Sequence, residues 1–127
     1  MSNAYDNAIL YSDYFLSKVI DFLRPYSREY ETTMIYMSDH GESLGENGVY
    51  LHGLPYFMAP DTQTNIGAFM WFGEKTIEKD INITQLKSNA NKKYSHDNLF
   101  HTLLNLFEVK TKLYNPEKDI LHDVEKK

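Results

Sequence analysis

The apolar positions of the chain fall into two stripes with helical spacing and two unbroken runs. Phe15, Leu16, Val19, Ile20 and Leu23 recur at i, i+1, i+4, i+5 and i+8, one face of an amphipathic helix, and Pro25 follows where a helix cannot continue. This predicts a helix over 5–23. A second stripe, Leu99, Phe100, Leu103, Leu104 and Phe107, predicts a helix opening at Ser95, whose hydroxyl suits an N-cap, with Asp97 in the first turn where the helix dipole favours negative charge. Between them, "TTMIYM" (32–37) and "NIGAFMWFG" (65–73) are apolar without alternation, the pattern of strands covered on both faces, as inside a parallel sheet.

The connecting segments are less regular. A glycine-rich stretch carries the turn signal Asn47-Gly48, and "LPYFMAPDTQ" after it holds Pro55 and Pro60, which predict irregular chain. From Glu74 to Lys93 the chain is polar, with Ile81, Ile83 and Leu86 able to anchor a short element and "SNANKK" reading as an exposed loop. The tail "YNPEKDILHDVEKK" reads as irregular and frayed at its end. The order helix, strand, loop, strand, helix gives an α/β fold with helices packed on a parallel or mixed sheet. Two strands are few for a sheet that normally has about 4–6. The chain is therefore expected to leave sheet edges and apolar surface open, which makes homo-oligomerisation through those edges an expected partnership.

Composition narrows the function classes. With 127 residues, 42% hydrophobic, the chain has the size of a single domain. A net charge of −5 with only 13 Lys+Arg gives no basic footprint for nucleic acid. The absence of cysteine excludes disulfides and thiolate zinc sites. No apolar run approaches the roughly 18 residues of a membrane helix and no signal segment opens the chain, so the chain as given is expected to be soluble. "MSNA" (1–4) reads as an expression scar or equally as a native start.

The chemistry gathers at the end of the first predicted strand, in "MSDHGESLGENGVYLHG" (37–53). Ligands of α/β folds collect beyond the carboxyl ends of strands. Where the strand unwinds, neighbouring Asp39 and His40 can turn toward one point, and carboxylate oxygen with neutral imidazole is a suitable zinc donor pair. His52 could return to the same pocket and hold a second metal or a phosphoryl oxygen. Spacing alone leaves a second reading open: Asp39 capping local backbone and His40 bonding a carbonyl. By the same reasoning Glu42 and Glu46 read first as solvated loop charges. His96 and His101 read as packing or capping residues, and His122 as inert.

As a unit, "YMSDHGESLGENGVYLHGLPYFMAPDTQT" resembles the phosphoethanolamine transferases of Gram-negative bacteria, within the alkaline phosphatase/sulfatase superfamily, with "NAYDNAILYSDYFLSKVIDFL" before it and "YSHDNLFHTLLNLFEV" after it in the family's order. The resemblance implies a partial sulfatase-like layered fold, the C-terminal part of a catalytic domain. It matches Asp39 and His40 to the family's Zn2+ ligand pair, His52 to the histidine that helps hold a second metal or the phosphoryl group, and Glu42 to a loop-shaping carboxylate behind them. It implies transfer of phosphoethanolamine from a phospholipid donor, phosphatidylethanolamine, to a lipid A-like acceptor through a phosphothreonine, on the periplasmic face of the inner membrane. The family's threonine nucleophile, a glutamate ligand and a membrane domain lie upstream of the matched region, and no threonine here stands in the nucleophile's context. The isolated chain is thus expected to lack turnover and to bind zinc weakly. Two other readings stay open: a sulfatase, phosphoglycerol transferase or phosphatase of the same superfamily, and a non-catalytic self-associating module.

Overall fold

The computed structural model describes residues 2–79 and 81–122. Among them run, in chain order, helix α1 (Ser2–Leu23), strands β1 (Thr33–Met37), β2 (Ser43–Leu44) and β3 (Tyr50–Leu51), the single turn α2 (Asp61–Thr64), strand β4 (Ala68–Phe72), and helices α3 (Glu74–Lys79), α4 (Ile83–Asn89) and α5 (Asp97–Leu106). They divide into two compact units, Met1–Gly73 and Glu74–Lys127.

In the first unit, α1 begins at Ser2, three residues ahead of the predicted start, and stops at Leu23, where Pro25 opens a 3-10 turn, Arg24–Tyr26. Leu16, Val19, Ile20 and Leu23 of the predicted stripe are half-buried, but Phe15 is 58% exposed. Leu10, Tyr11, Tyr14 and Phe22 are also exposed, so α1 leaves apolar surface uncovered, as the strand count implied.

β1 and β4 pair in antiparallel register, Thr33 opposite Phe72 and Met37 opposite Ala68. This corrects the reading of β1 as a parallel strand. Burial also departs from the two-face expectation: Met34 and Phe72 are buried, whereas Ala68 and Phe69 are exposed. A continuous apolar run records that both faces can be covered, not the direction of the neighbour. The pair is closed at one end by Gly73, whose N–H donates to the Thr32 carbonyl at 2.8 Å. A side chain there would collide with Thr32 and Ser27, so glycine is required where the strand end crosses them. At the other end Ser38 N–H donates to Gly67 O, carrying the pairing one step beyond β1 toward Asp39.

In the second unit, Ile81 is buried and α4 follows it, so the short element foreseen around Ile81, Ile83 and Leu86 is present. Ser88 and Asn89, read as loop, belong to α4. Asn82 caps α4, accepting from Gln85 N–H, and buried Asn89 reaches the Ile120 carbonyl. α5 begins at Asp97 with His96, not Ser95, at the N-cap and no side-chain cap bond there; the Asn98 carboxamide instead accepts the Ser95 N–H at 2.7 Å.

The tail is not frayed through residue 122. Thr102 on α5, fully buried, accepts from Ile120 N–H at 3.0 Å and donates to Asn98 O. Asp119 gathers Asn105 Nδ2 and the Tyr114 hydroxyl on one oxygen, both at 2.7 Å, and Leu121 N–H on the other. Leu121 is thereby buried. Polar bonds and one leucine dock a segment whose hydropathy gave no periodic signal. The predicted fraying falls on 123–127, outside the described residues.

Candidate metal centre

The site begins where β1 ends. Ser38 Oγ donates to the His40 carbonyl at 2.8 Å, and Asp39 Oδ1 accepts the His40 N–H at 3.1 Å, so the chain turns sharply through these residues. Gly41 completes the turn. Its N–H donates to the Gln63 carbonyl at 2.9 Å, and a Cβ at this position would lie 2.1 Å from the Thr62 carbonyl oxygen. Only glycine lets the strand end pass this close to α2.

Beyond Gly41, β2 and β3 form a short antiparallel hairpin, Ser43 opposite Leu51, through a turn at Glu46–Gly48. Its base is tied to α2 by buried Ser43, whose hydroxyl lies 3.0 Å from both Thr62 Oγ1 and Gln63 Nε2. Glu46 holds the tip: its carboxylate accepts the Leu44 N–H at 2.7 Å. Its own backbone N–H, then that of Leu44, hold its carboxyl below the ordinary range, with a smaller contribution from Gly45 and a partial opposing effect of desolvation. Glu46 is thus an exposed loop charge, as read, that also bonds the backbone of its own turn. Leu51 adopts φ 64°, a left-handed conformation costly for a branched side chain. That bend comes immediately before His52.

The hairpin brings His52 back onto His40. Their rings stack with centroids 3.7 Å apart and planes 29° apart. His52 Nδ1 lies 3.0 Å from Glu42 Oε2, a carboxylate–imidazole pair that orients the ring and turns its Nε2 outward. The Glu42 side chain is only 20% exposed, and its other oxygen, Oε1, is buried without a hydrogen-bond partner among the described residues. His40 Nδ1 lies 2.9 Å from the Gly41 carbonyl, which makes Nδ1 the protonated nitrogen and leaves the Nε2 lone pair free. That Nε2 is 3.8 Å from Asp39 Oδ2.

Donor atoms of His40, Glu42 and His52 all lie within 4.8 Å of one another, so these three side chains can hold a metal ion. Asp39, expected as a ligand, stands at the edge of this group with its side chain 90% exposed, and it also makes the local backbone bond of the alternative reading. The two readings of Asp39-His40 are compatible in one geometry, because Asp39 bonds backbone through Oδ1 and faces the imidazole with Oδ2. Glu42 stands behind His52, bonded to its Nδ1, and also belongs to the three-residue group. Gln63, which the sequence did not single out, links β2 to the chain that leaves His52 by accepting the Leu54 N–H at 3.4 Å. No pattern around "DTQT" signalled it. His101 accepts the Asn115 N–H through Nδ1, as a packing histidine should, and His122 lies 3.4 Å from the Tyr114 hydroxyl.

The Sulfatase family profile matches residues 1–109. The chain belongs to the sulfatase family. It is 48% identical over 122 residues to phosphoethanolamine transferase EptA of Escherichia coli strain K12, covering 94% of this chain and 22% of that protein. It is 42% identical, with a TM-score of 0.94 over its whole length, to the soluble domain of lipooligosaccharide phosphoethanolamine transferase A from Neisseria meningitidis, covering 39% of that domain. The same fit holds for the integral membrane form of that protein, of which it covers 24%. The sulfatase-like fold is therefore that of these enzymes' domain, and the chain spans about a fifth of the length of the curated relative it matches. No helix among the described residues is long and apolar enough to cross a membrane.

Proposed function

We propose that the chain supplies the metal- and phosphate-binding strand end of a zinc-dependent phosphoethanolamine transferase, which moves phosphoethanolamine from a phospholipid to a lipid A-like acceptor at the periplasmic face of the inner membrane. The observation that carries this reading is the convergence of His40, Glu42 and His52 beside Asp39 in a chain that shares 42% identity and a TM-score of 0.94 with a lipooligosaccharide phosphoethanolamine transferase.

The donor set fits zinc. Two ligands bound at about 2.0–2.2 Å on a tetrahedral ion lie roughly 3–4 Å apart. The 3.8 Å between Asp39 Oδ2 and His40 Nε2 is that spacing. An all-oxygen-and-nitrogen site also suits a chain without cysteine. Asp39 and His40 would hold the ion, and His52, oriented by Glu42, would hold a second metal or the phosphoryl group beside them. Zinc supplies charge that lowers the pKa of a hydroxyl nucleophile and neutralises phosphoryl oxygens.

The chain's own residues do the rest. Glu42 fixes His52 through Nδ1–H, so His52 Nε2 faces outward; in the imidazolium form it can donate to a phosphoryl oxygen and give that proton to a leaving alkoxide. Gly41 and Gln63 hold the two strand ends at the distance that keeps the imidazoles stacked. The threonine nucleophile of the parent enzyme lies outside this chain in this reading, so the isolated chain binds but does not turn over.

A chimaera tests the proposal: this chain replaces the matching 122 residues of E. coli EptA, and transfer of phosphoethanolamine to lipid A is followed by mass spectrometry. The chimaera should transfer, and its His40→Ala form should not. A folded chimaera that binds zinc and leaves lipid A unmodified contradicts the proposal.

A further inference from the structure

Between Glu46 and Asp61 the chain carries no Asp, Glu, Lys or Arg, and His52 is the one titratable imidazole in it. After His52 the segment presents Leu54, Tyr56, Phe57 and Met58 to solvent, with Tyr56 87% and Phe57 86% exposed. This display is built into the backbone. Met58 N–H and Ala59 N–H both donate to the Pro55 carbonyl, at 2.8 and 2.9 Å, closing one helical turn with Tyr56 and Phe57 at its tip. Leu54 N–H is held by the buried Gln63 side chain, and Gln63 N–H donates to the Pro60 carbonyl, so both ends of the turn are anchored. Proline at both ends, Pro55 and Pro60, reduces the entropy cost of keeping the aromatics in place.

We propose that the Leu54–Met58 turn inserts into the headgroup–acyl boundary of a zwitterionic phospholipid bilayer and so sets the His40, Glu42 and His52 group at the level of the lipid phosphates. The inference rests on the transferase reading for the choice of occupant, since the turn is continuous with the residue that would face a lipid phosphoryl group. Three features select a bilayer. Aromatic rings with an apolar body and, in tyrosine, a polar tip favour the membrane–water interface. A prominent apolar turn suits shallow insertion of about 5–10 Å. With no cation in the segment and a net charge of −5 on the chain, anionic lipid offers no attraction, which leaves zwitterionic lipid as the host.

The test is co-sedimentation of the full chain with vesicles of phosphatidylcholine and phosphatidylethanolamine at moderate and high salt. The wild type should pellet at both, and Tyr56→Ser/Phe57→Ser should weaken partitioning by about tenfold per ring, from the apolar area withdrawn from lipid. Both side chains are almost fully exposed, so the fold is expected to persist, as circular dichroism would verify. A control pair on α1, Leu10→Ser/Tyr14→Ser, should pellet like the wild type. Zinc titration of the same proteins separates the two readings: loss of zinc binding with vesicle binding intact would fall on the metal site alone. The inference is overturned if the wild type stays in the supernatant or if the loop variant pellets equally. It is also overturned if pelleting requires anionic lipid and disappears with salt, or if the exposed turn instead drives self-association in the absence of vesicles.

Discussion

His40 and His52 stack face to face with ring centroids 3.7 Å apart, although a hairpin separates them in the chain. The stack is held from outside rather than by the rings themselves. Gly41 fixes the first histidine to α2, and Glu42 pins the second through Nδ1.

Removing the pin should therefore reach the metal. Glu42→Ala is expected to weaken zinc binding by about 10–100-fold, the usual cost of losing a carboxylate that orients a metal-site histidine. Glu42→Gln, which keeps an acceptor for Nδ1–H, should lose less. Competition with a chelating dye measures both, and equal affinity in Glu42→Ala and wild type would remove Glu42 from the site.

Gly41→Ala should destabilise the first unit by roughly 3 kcal/mol, since the added methyl meets backbone oxygen that cannot rotate away. Urea unfolding followed by Trp71 fluorescence reads this directly. An unchanged midpoint would mean that α2 does not pack against the strand end as described.

The hairpin tip should respond to acid. A carboxyl whose folded-state pKa lies below its unfolded value stabilises the fold above the unfolded value, and that contribution disappears as pH falls through the folded one. Glu46 is such a group. Amide exchange at Leu44 is expected to be slow at neutral pH and to quicken below the ordinary carboxylate range, relative to the intrinsic rate. Glu46→Ala should remove this pH dependence, and a variant that retains it would point to another carboxylate.

In the second unit, Thr102→Val keeps shape but leaves the Ile120 N–H without its acceptor. The expected cost is about 1–3 kcal/mol. It should appear as faster proteolysis within residues 115–122, with zinc binding unaltered. Protection equal to wild type would show that Asp119 alone holds the tail.

Much of this arrangement was legible in the sequence because it rests on periodicity and on local chemistry. The stripe of α1, the run of β1 and the Asp39-His40 pair at its end are written within short windows. What escaped depends on distant partners. The antiparallel pairing of β1 with β4 lies between residues whose hydropathy does not encode direction, and Gln63 matters only because α2 returns beside Ser43. The docking of Asp119 and Leu121 on α5 likewise uses hydrogen bonds that leave no hydrophobic pattern. Glu42 looked peripheral because its partner is ten residues away, across the hairpin.

Histidine NMR during zinc titration tests the central claim most directly, since the chain offers five histidines and the account chooses among them. Ring signals of His40 and His52 should move together at the lowest zinc concentrations, with His96, His101 and His122 unaffected, and Asp39→Ala should push that response to higher zinc. Signals of His40 and His52 that stay fixed while zinc is taken up elsewhere, or not at all, would contradict the account.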